Sequence, residues 1–367
     1  MTKAAELAKM GEVLDNSQIG GKNIIINGAM QVAQRATSTT GVGATNDVYP
    51  TLDRFAVVVS STAGRCTMSQ STVTDLEGFS NALKLDVTTA DTSIAAGEYF
   101  IIQHKIEGFD IQQLKATSTS TRAFTISFYA KSNESRAFNL EARFTNGTNK
   151  QAVKTFTTGT SWARYTMTVP AASSTQIDND NSNEMQLNFW LHSGSTYSGG
   201  TPSTTLGASS NTARAAGVGS IFASTDNTLE ITGIQLEVGS QATPFEHKSF
   251  GEELKLCHRY YQQFAYDTHG FNVANGGANT ASQSTHIYTY YGGEMRAAPS
   301  VSTPSVSNGY RFLGPDQDNS HSTIPNIDNA GVASIQFANN QNTITKGHPF
   351  RLLLAQSGAM IKFDAEL

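Results

Sequence analysis

Cysteine and charge are both scarce in this sequence of 367 residues. The two cysteines, Cys66 and Cys257, lie far apart, which excludes a disulfide-stapled framework. Charged residues make up 15% of the chain and the net charge is -5, so there is no excess of basic residues to follow a nucleic-acid backbone. We therefore expect no nucleic acid among the partners.

Long apolar runs are absent as well. No segment approaches the roughly 18 residues that a membrane-spanning helix needs, and residues 1–18 lack the apolar core of a signal peptide. We therefore expect no membrane insertion and no export by a signal peptide. The protein is expected to be made in a cytoplasm and to leave the cell by lysis or as part of a particle.

The usual catalytic motifs are missing too. The sequence has no Gly-x-Ser-x-Gly, His-Glu-x-x-His, Cys-x-x-Cys or phosphate-binding Gly-x-x-x-x-Gly-Lys motif. A glycosidase remains an alternative, because its two carboxylates need no recognisable spacing in sequence. We expect a protein that is not an enzyme, with no catalytic residue and no cofactor.

What the sequence does contain is β-strand pattern. Apolar and polar residues alternate over 124–128, 138–144, 165–169 and 185–191, with turn residues such as Asn146-Gly147 between them. This pattern predicts an antiparallel β-sandwich over 23–248. Alternation changes phase near Thr232-Gly233, and a β-bulge at that point would keep both halves of the strand buried.

Two helices are also predicted. Ser249 and Glu252 form a capping box that should open a helix over 250–263, with Leu254, Cys257 and Tyr261 on its inner face. Residues 2–14 form a short amphipathic helix. Its apolar stripe of Leu7, Met10 and Leu14 is interpreted either as a frayed or self-docked arm or as an assembly surface.

The sequence of residues 265–367 predicts a second, smaller β-sandwich, with a long exposed loop at 313–329. The predicted domain order is a helical anchor at 1–22, a sandwich at 23–248, a linker helix at 249–264 and the C-terminal sandwich. The fold class is therefore all-β.

Metal-binding patterns are weak. Residues 178–184 alternate oxygen donors, but Asn183 and Phe189 stand where an EF-hand requires Gly and Glu, which leaves a looser cation site or an Asx-rich turn. His247, Cys257 and His258 match no zinc spacing, so a buried structural cysteine is favoured. No metal site is predicted.

The aromatic residues and the longest loop offer the candidate binding residues. Tyr288, Tyr290 and Tyr291 flank a Gly-Gly turn and are the candidate glycan-binding residues, whereas Trp162 and Trp190 are expected in the core. Tyr197 could also stack on a sugar. It lies in a loop, 193–220, that is either ordered only by neighbouring subunits or a recognition loop.

Four segments together resemble a known family. They are NIIINGAMQVAQRATS at 23–38, YPTLDRF at 49–55, QLEVGSQATPFEHKSFGEELKLCHRYYQQF at 235–264 and IKFDAEL at 361–367. They resemble bacteriophage virion structural proteins of the tail-fibre or fibre-like appendage type. The resemblance implies a jelly-roll domain similar to carbohydrate-binding modules, joined through a Cys-x-Arg-Tyr-Tyr helix to a C-terminal β domain.

The expected function is thus a structural component of a phage particle that contributes to attachment to host-surface glycan. It would reside in the virion, contact other tail or capsid proteins and form a homotrimer through Leu7, Met10 and Leu14. The alternatives are a polysaccharide-degrading tailspike and a carbohydrate-binding module of a bacterial surface protein. The first would typically require β-helix repeats and the second an export signal, and the sequence shows neither.

Overall fold

The computed structural model describes Lys3 and residues 21–266, 271–280, 283–289, 293–315, 318–324, 326–340 and 346–367. The chain divides into two compact units, residues 1–253 with Leu367 and residues 254–366. The predicted assembly residues Leu7, Met10 and Leu14 lie outside the described residues, so their role stays a prediction.

The first unit contains fifteen described strands. They are β1 Ser38–Val42, β2 Ala56–Ser60, β3 Arg65–Thr72, β4 Asn81–Thr89, β5 Tyr99–Glu107, β6 Lys115–Thr117, β7 Ser120–Thr121, β8 Phe124–Ser132, β9 Arg136–Phe144, β10 Lys150–Thr158, β11 Ala163–Val169, β12 Ala172–Ser173, β13 Asn183–Ser193, β14 Gly207–Ala208 and β15 Thr228–Val238. Short 3-10 helices span Gly108–Leu114, Asn211–Ala213 and Ile221–Ala223, and helix α1 spans Ser195–Ser198.

Two six-stranded antiparallel sheets form a jelly-roll sandwich. The back sheet has the order β1-β3-β4-β15-β8-β11 and the front sheet has the order β14-β10-β9-β13-β5-β2. A small third sheet joins β12, β7 and β6. Apolar side chains from the facing sides of the two six-stranded sheets form one core, in which Phe128 and Phe189 meet edge to face at 5.1 Å. The predicted all-β fold is confirmed.

The predicted β-bulge lies in β15. Thr232 pairs with Tyr129 and Gln235 pairs with Ser127, so β15 carries one extra residue against β8. Gly233 has a φ of 61°, and a Cβ there would lie 2.7 Å from the Phe79 ring. Glycine is therefore required at the bulge, both for its backbone conformation and for space.

The segments that carry the family resemblance pack on one another. Asn27 accepts a hydrogen bond from the amide of Val32 (2.9 Å) and donates to the carbonyl groups of Val32 (2.8 Å) and Asp53 (3.0 Å). The Asp53 carboxylate accepts from the amide of Gln34 at 3.0 Å. Residues from 23–38 and 49–55 therefore fix each other's backbone, which is a structural role.

The same N-terminal segment extends the back sheet beside β15. The amide of Ile24 donates to the carbonyl of Leu236, and the amide of Ile234 donates to the carbonyl of Gly28, both at 3.0 Å. Asn23 accepts from the amide of Leu236 at 3.2 Å. Residues 24–28 thus pair with β15, the last strand of the first unit.

The capping box is confirmed, but the predicted helix is shorter than expected. The amide of Ser249 donates to the Glu252 carboxylate at 2.8 Å, and the amide of Glu252 donates to the Ser249 hydroxyl at 3.3 Å. Helix α2 then runs over Phe250–His258 instead of 250–263. Tyr261 begins a strand because the backbone turns at Tyr260, whose amide bonds the carbonyl of Cys257 at 2.9 Å.

The second unit is also all-β. Its strands are β16 Tyr261–Ala265, β17 Phe271–Thr280, β18 Gln283–Thr289, β19 Ser300–Ser302, β20 Tyr310–Leu313, β21 Asp318–His321, β22 Asn326–Ala330, β23 Ser334–Asn340, β24 Pro349–Leu354 and β25 Met360–Asp364. They form a three-stranded sheet, β16-β25-β19, and a seven-stranded sheet, β21-β20-β24-β17-β18-β23-β22. The prediction of a long loop at 313–329 is wrong, because β21 and β22 are edge strands whose polar sequences lack apolar alternation.

Candidate functional site

The outer face of the front sheet is lined with polar side chains. In β13, Gln186, Asn188 and Trp190 alternate with the core residues Leu187 and Phe189 and therefore point away from the core. Pairing with β5 and β9 sets Gln103 and Glu141 on either side of Asn188. Gln103, Asn188 and Glu141 therefore form one row across three neighbouring strands of this face.

Glu141 is the centre of a buried polar network on this face. Its carboxylate is fully buried and accepts hydrogen bonds from Asn188 Nδ2 and Trp190 Nε1, both at 2.8 Å. Arg214 adds a bidentate contact, with Nε at 2.9 Å and Nη2 at 3.0 Å. A buried carboxylate is stable only when it is paired and hydrogen-bonded in this way.

Arg214 belongs to the long loop 193–220, which packs on the same face. Its guanidinium lies 4.6 Å from the centre of the Trp190 ring. Asn139 donates to the carbonyl groups of Arg214 and Ala216 at 3.1 Å, and the amide of Gly219 bonds the carbonyl of Ala137 at 2.8 Å. The loop is therefore ordered by its own sheet, and the alternative that only neighbouring subunits order it is wrong.

A cleft of ≈ 270 Å³ remains beside the docked loop. Its lining comes from β2, β5, β9, β13, the loop and the turn before β2. The lining residues are Asn46, Asp47, Val58, Tyr99, Ile101, Gln103, Lys105, Arg143, Asn183, Gln186 and Arg214. Amides and cations dominate, and Tyr99 is the aromatic member.

Tyr99 is held by aromatic neighbours. Its ring centre lies 5.7 Å from Trp190 and 5.4 Å from Tyr197, which meets it edge on. Burial raises the pKa of the Tyr99 hydroxyl, and the neighbouring Tyr197 adds to that shift. Tyr99 thus presents a neutral, fixed ring to the cleft.

The cleft carries one positive charge without a matching carboxylate. Lys105 pairs with Asp47 at 2.8 Å, and Arg214 pairs with Glu141. Across the residues that the structure describes, the Arg143 guanidinium makes no ion pair, and its Nε has no hydrogen-bond partner. Burial, followed by repulsion from Arg214, lowers the pKa of Arg143. The free cation of the cleft is therefore Arg143.

The two tryptophans behave differently. Trp190 is fully buried as predicted, but it lies on the outer face beneath the loop and not in the main core. The prediction that Trp162 is a core residue is wrong, because it is only partly buried. Its Nε1 donates to Asp75 at 2.8 Å, and Lys131 Nζ lies 4.9 Å from its ring centre.

The predicted glycan-binding tyrosines remain untested. Tyr288 lies in β18 and pairs with Ile335, with its side chain outside the described set. Tyr290 and Tyr291 lie outside the described residues altogether. Their role stays a prediction.

Cys66 and Cys257 are both buried and form no disulfide in the described structure, as expected for structural cysteines. Burial, with a contribution from Asp86, raises the pKa of Cys66 to about 12, which makes this thiol unreactive at neutral pH. In the segment 178–184, the amide of Ser182 bonds Asp180 Oδ1 at 2.9 Å, which is an Asx turn.

Comparisons with known proteins gave structural likeness only. No protein-family model and no curated protein matches the chain. Similar solved structures include an enzymatically active domain of tailspike protein 4 from bacteriophage CBA120, with 12% identity over 59% of this chain and 21% of that chain and a TM-score of 0.31. Others are a family 30 carbohydrate-binding module (14% identity, 59% and 98% covered, TM-score 0.28) and a family 11 module of a cellulosomal cellulase of Clostridium thermocellum (11%, 57% and 99%, TM-score 0.27).

The chain spans about a fifth of the length of that tailspike protein. Likenesses at these TM-scores carry no inference about ligand or activity, and the jelly-roll fold is established by the strand order itself. In the described part of the chain, no helix has the length and apolar character needed to cross a membrane.

Proposed function

We propose that this protein is a non-enzymatic, glycan-binding structural component of a phage particle, of the tail-fibre or appendage type. The observation that carries the glycan-binding part is the cleft of the front sheet. It combines amides, an aromatic ring and an unpaired arginine on a rigid sheet. The phage part is supported by the sequence segments described above.

The side chains of the cleft suit sugar hydroxyls. Gln103, Gln186 and Asn183 each offer an amide group that both donates and accepts, as a hydroxyl does. Tyr99 supplies a flat apolar surface of the type that packs on a sugar ring. The volume lies just below the about 300–1,000 Å³ of typical ligand pockets, which favours a short sugar segment.

The unpaired Arg143 suggests which sugars bind best. A guanidinium forms bidentate hydrogen bonds with a carboxylate, and its partial burial strengthens that interaction. We infer that the preferred ligand contains an acidic sugar, with its carboxylate on Arg143.

Binding is favoured over hydrolysis. A glycosidase generally needs two carboxylates across the scissile bond, whereas Asp47 is the single carboxylate among the residues lining the cleft, and it is paired with Lys105. Weak single sites would act together in a multivalent appendage. This fits the proposed homotrimer assembled through Leu7, Met10 and Leu14 and held in the virion by other tail or capsid proteins.

The test compares acidic and neutral oligosaccharides of equal length, first on a glycan array and then by calorimetry. Arg143→Ala should abolish the preference for the acidic oligosaccharide, and Tyr99→Ala should lower the affinity for both oligosaccharides. Tyr99→Phe and Lys84→Ala serve as controls, because the first keeps the ring and the second lies on the back sheet.

Unchanged binding in the Arg143→Ala and Tyr99→Ala variants would refute the cleft as the site. Loss of binding in Tyr288→Ala with Tyr290→Ala would then favour the C-terminal tyrosines. Absence of any glycan binding, together with normal particle assembly, would leave a purely structural role.

A further inference from the structure

Three buried side chains converge in the first unit at a place separate from the cleft. Asp91 lies in the connection between β4 and β5, Glu98 directly precedes β5, and His192 lies near the end of β13. Their exposed fractions are 4%, 8% and 0%. One potential ligand atom from each lies within 4.8 Å of the other two.

The distances within this trio are too long for hydrogen bonds. His192 Nε2 lies 3.7 Å from Glu98 Oε2 and 3.9 Å from Asp91 Oδ2. His192 Nε2 and Glu98 Oε2 are buried, and neither has a hydrogen-bond partner in the described structure. Ligand atoms about 2.1 Å from a tetrahedral metal ion are about 3.4 Å apart, so each carboxylate would have to approach His192 Nε2 by only a few tenths of an ångström.

The other side of the imidazole is fixed. His192 Nδ1 lies 2.7 Å from the Ser220 hydroxyl, which also accepts from the amide of Phe222 at 3.0 Å. The Phe222 ring packs against the imidazole edge to face at 5.4 Å. Metal-binding histidines are oriented in this way, with the second ring nitrogen hydrogen-bonded. If Nδ1 donates to Ser220, the lone pair of Nε2 points toward the two carboxylates.

Asp91 is held in place independently. Its Oδ2 accepts from the Thr62 hydroxyl and the amide of Ala63, both at 2.8 Å. With Nε2 unprotonated, three acceptor atoms would face one another in a buried environment, where their mutual repulsion is strong. A cation among them removes that repulsion.

We propose that Asp91, Glu98 and His192 bind one divalent transition-metal ion of the Zn²⁺ class. An imidazole with two carboxylates suits zinc, manganese or iron(II), whereas Ca²⁺ takes six to eight oxygen ligands. The bound ion joins the β4–β5 connection to β13. The hydrogen bond between His192 and Ser220 extends this link to the turn before Phe222.

This joint has a structural consequence nearby. The amide of Gly194 donates to the carbonyl of Glu98 at 2.8 Å, and the amide of Thr196 donates to the carbonyl of Ala96 at 3.0 Å. The metal therefore stiffens the backbone that carries Tyr99 and Tyr197.

The test uses the full-length chain without an affinity tag, stripped of metal and titrated with Zn²⁺ against a chromophoric chelator. Wild type should bind one ion with an affinity that His192→Gln and Glu98→Gln each reduce by more than about 100-fold, beyond the 10–100-fold typical of outer-shell changes. His104→Gln is the matched control, because His104 is also buried but neighbours Arg54 and Lys248 instead of carboxylates. Zn²⁺ should raise the Tm of wild type and of the control, not of the two ligand variants.

Wild-type protein that binds no Zn²⁺, or binding of equal strength in the His192→Gln and His104→Gln variants, would overturn the proposal. If His192→Gln fails to fold, Glu98→Gln decides, since the unpartnered Oε2 makes this change mild. Co²⁺ in wild type adds a further arm, because tetrahedral ligation gives visible absorption and the free aqueous ion gives very little.

Discussion

Replacing Arg214 with alanine removes the only cation bound to the buried Glu141 carboxylate in the described structure. Two charge-assisted hydrogen bonds and the contact with the Trp190 ring are lost, and two neutral donors remain. Breaking a buried ion pair from one side costs about 3–5 kcal/mol. Because the Arg214 side chain is 13% exposed and water can partly replace it, we expect a loss of about 3 kcal/mol in the free energy of unfolding.

Urea unfolding followed by tryptophan fluorescence measures this loss of stability in the first unit of the chain, which contains Arg214. The chain has two tryptophans, Trp162 and Trp190, and both lie in the first unit. The control is Lys84→Ala, which removes an exposed pair with Asp86 and should cost at most about 1 kcal/mol. The urea dependence of the unfolding free energy should be the same for all variants.

A second variant separates the buried charge from lost packing. Glu141→Gln combined with Arg214→Ala leaves a neutral amide beneath the loop, so we expect it to recover more than about 1 kcal/mol of the single-variant loss. If Arg214→Ala costs no more than Lys84→Ala, or if the double variant is less stable than the single one, the buried-charge reasoning is refuted.

Three other outcomes can be measured on the same chain. Gly233→Ala should cost about 2 kcal/mol or more, because strain at φ 61° is joined by a clash with the Phe79 ring. Gly147→Ala at φ 63° should cost clearly less, because its Cβ would make only an ordinary contact, 3.8 Å from Gln176 Oε1; equal urea midpoints would contradict this. Ser249→Ala should weaken the start of α2 by about 1 kcal/mol, seen as faster hydrogen exchange at its first amides, and unchanged exchange would show that the capping box contributes nothing. Burial, and to a smaller extent Arg54, holds the pKa of His104 well below 6.5. Below pH 6.5 the unfolded chain therefore takes up a proton that the folded chain does not, and the free energy of unfolding should fall as the pH drops. His104→Leu should make this fall with pH shallower.

Much of the first unit could be predicted because its strands bury one face. The phase change at Thr232-Gly233 located the bulge, since a one-residue slip would otherwise expose Leu236 or Leu229. The capping box was equally local, as Ser249 and Glu252 are three residues apart. The end of α2 was harder to predict, because Tyr261 fits a helical stripe and a buried strand equally well.

The candidate site could not be predicted, because it depends on strand order. Gln103, Asn188 and Glu141 come from three strands whose adjacency no local pattern reveals. A signal was present in β13, where amides and Trp190 occupy the phase opposite the core. The trio of Asp91, Glu98 and His192 was hidden for the same reason, since His192 lies about a hundred residues from the two carboxylates.

The pairing of the N-terminal segment with β15 determines when the first unit can close during synthesis. Ile24, Ile25 and Ile26 are buried, and the segment's partners Ile234 and Leu236 are made roughly 210 residues later. At about 5–20 residues per second, the ribosome needs about 10–40 s to cover that distance. During this interval the nascent chain carries an unprotected row of isoleucines, and a chain released before β15 has no partner strand with which to cover them.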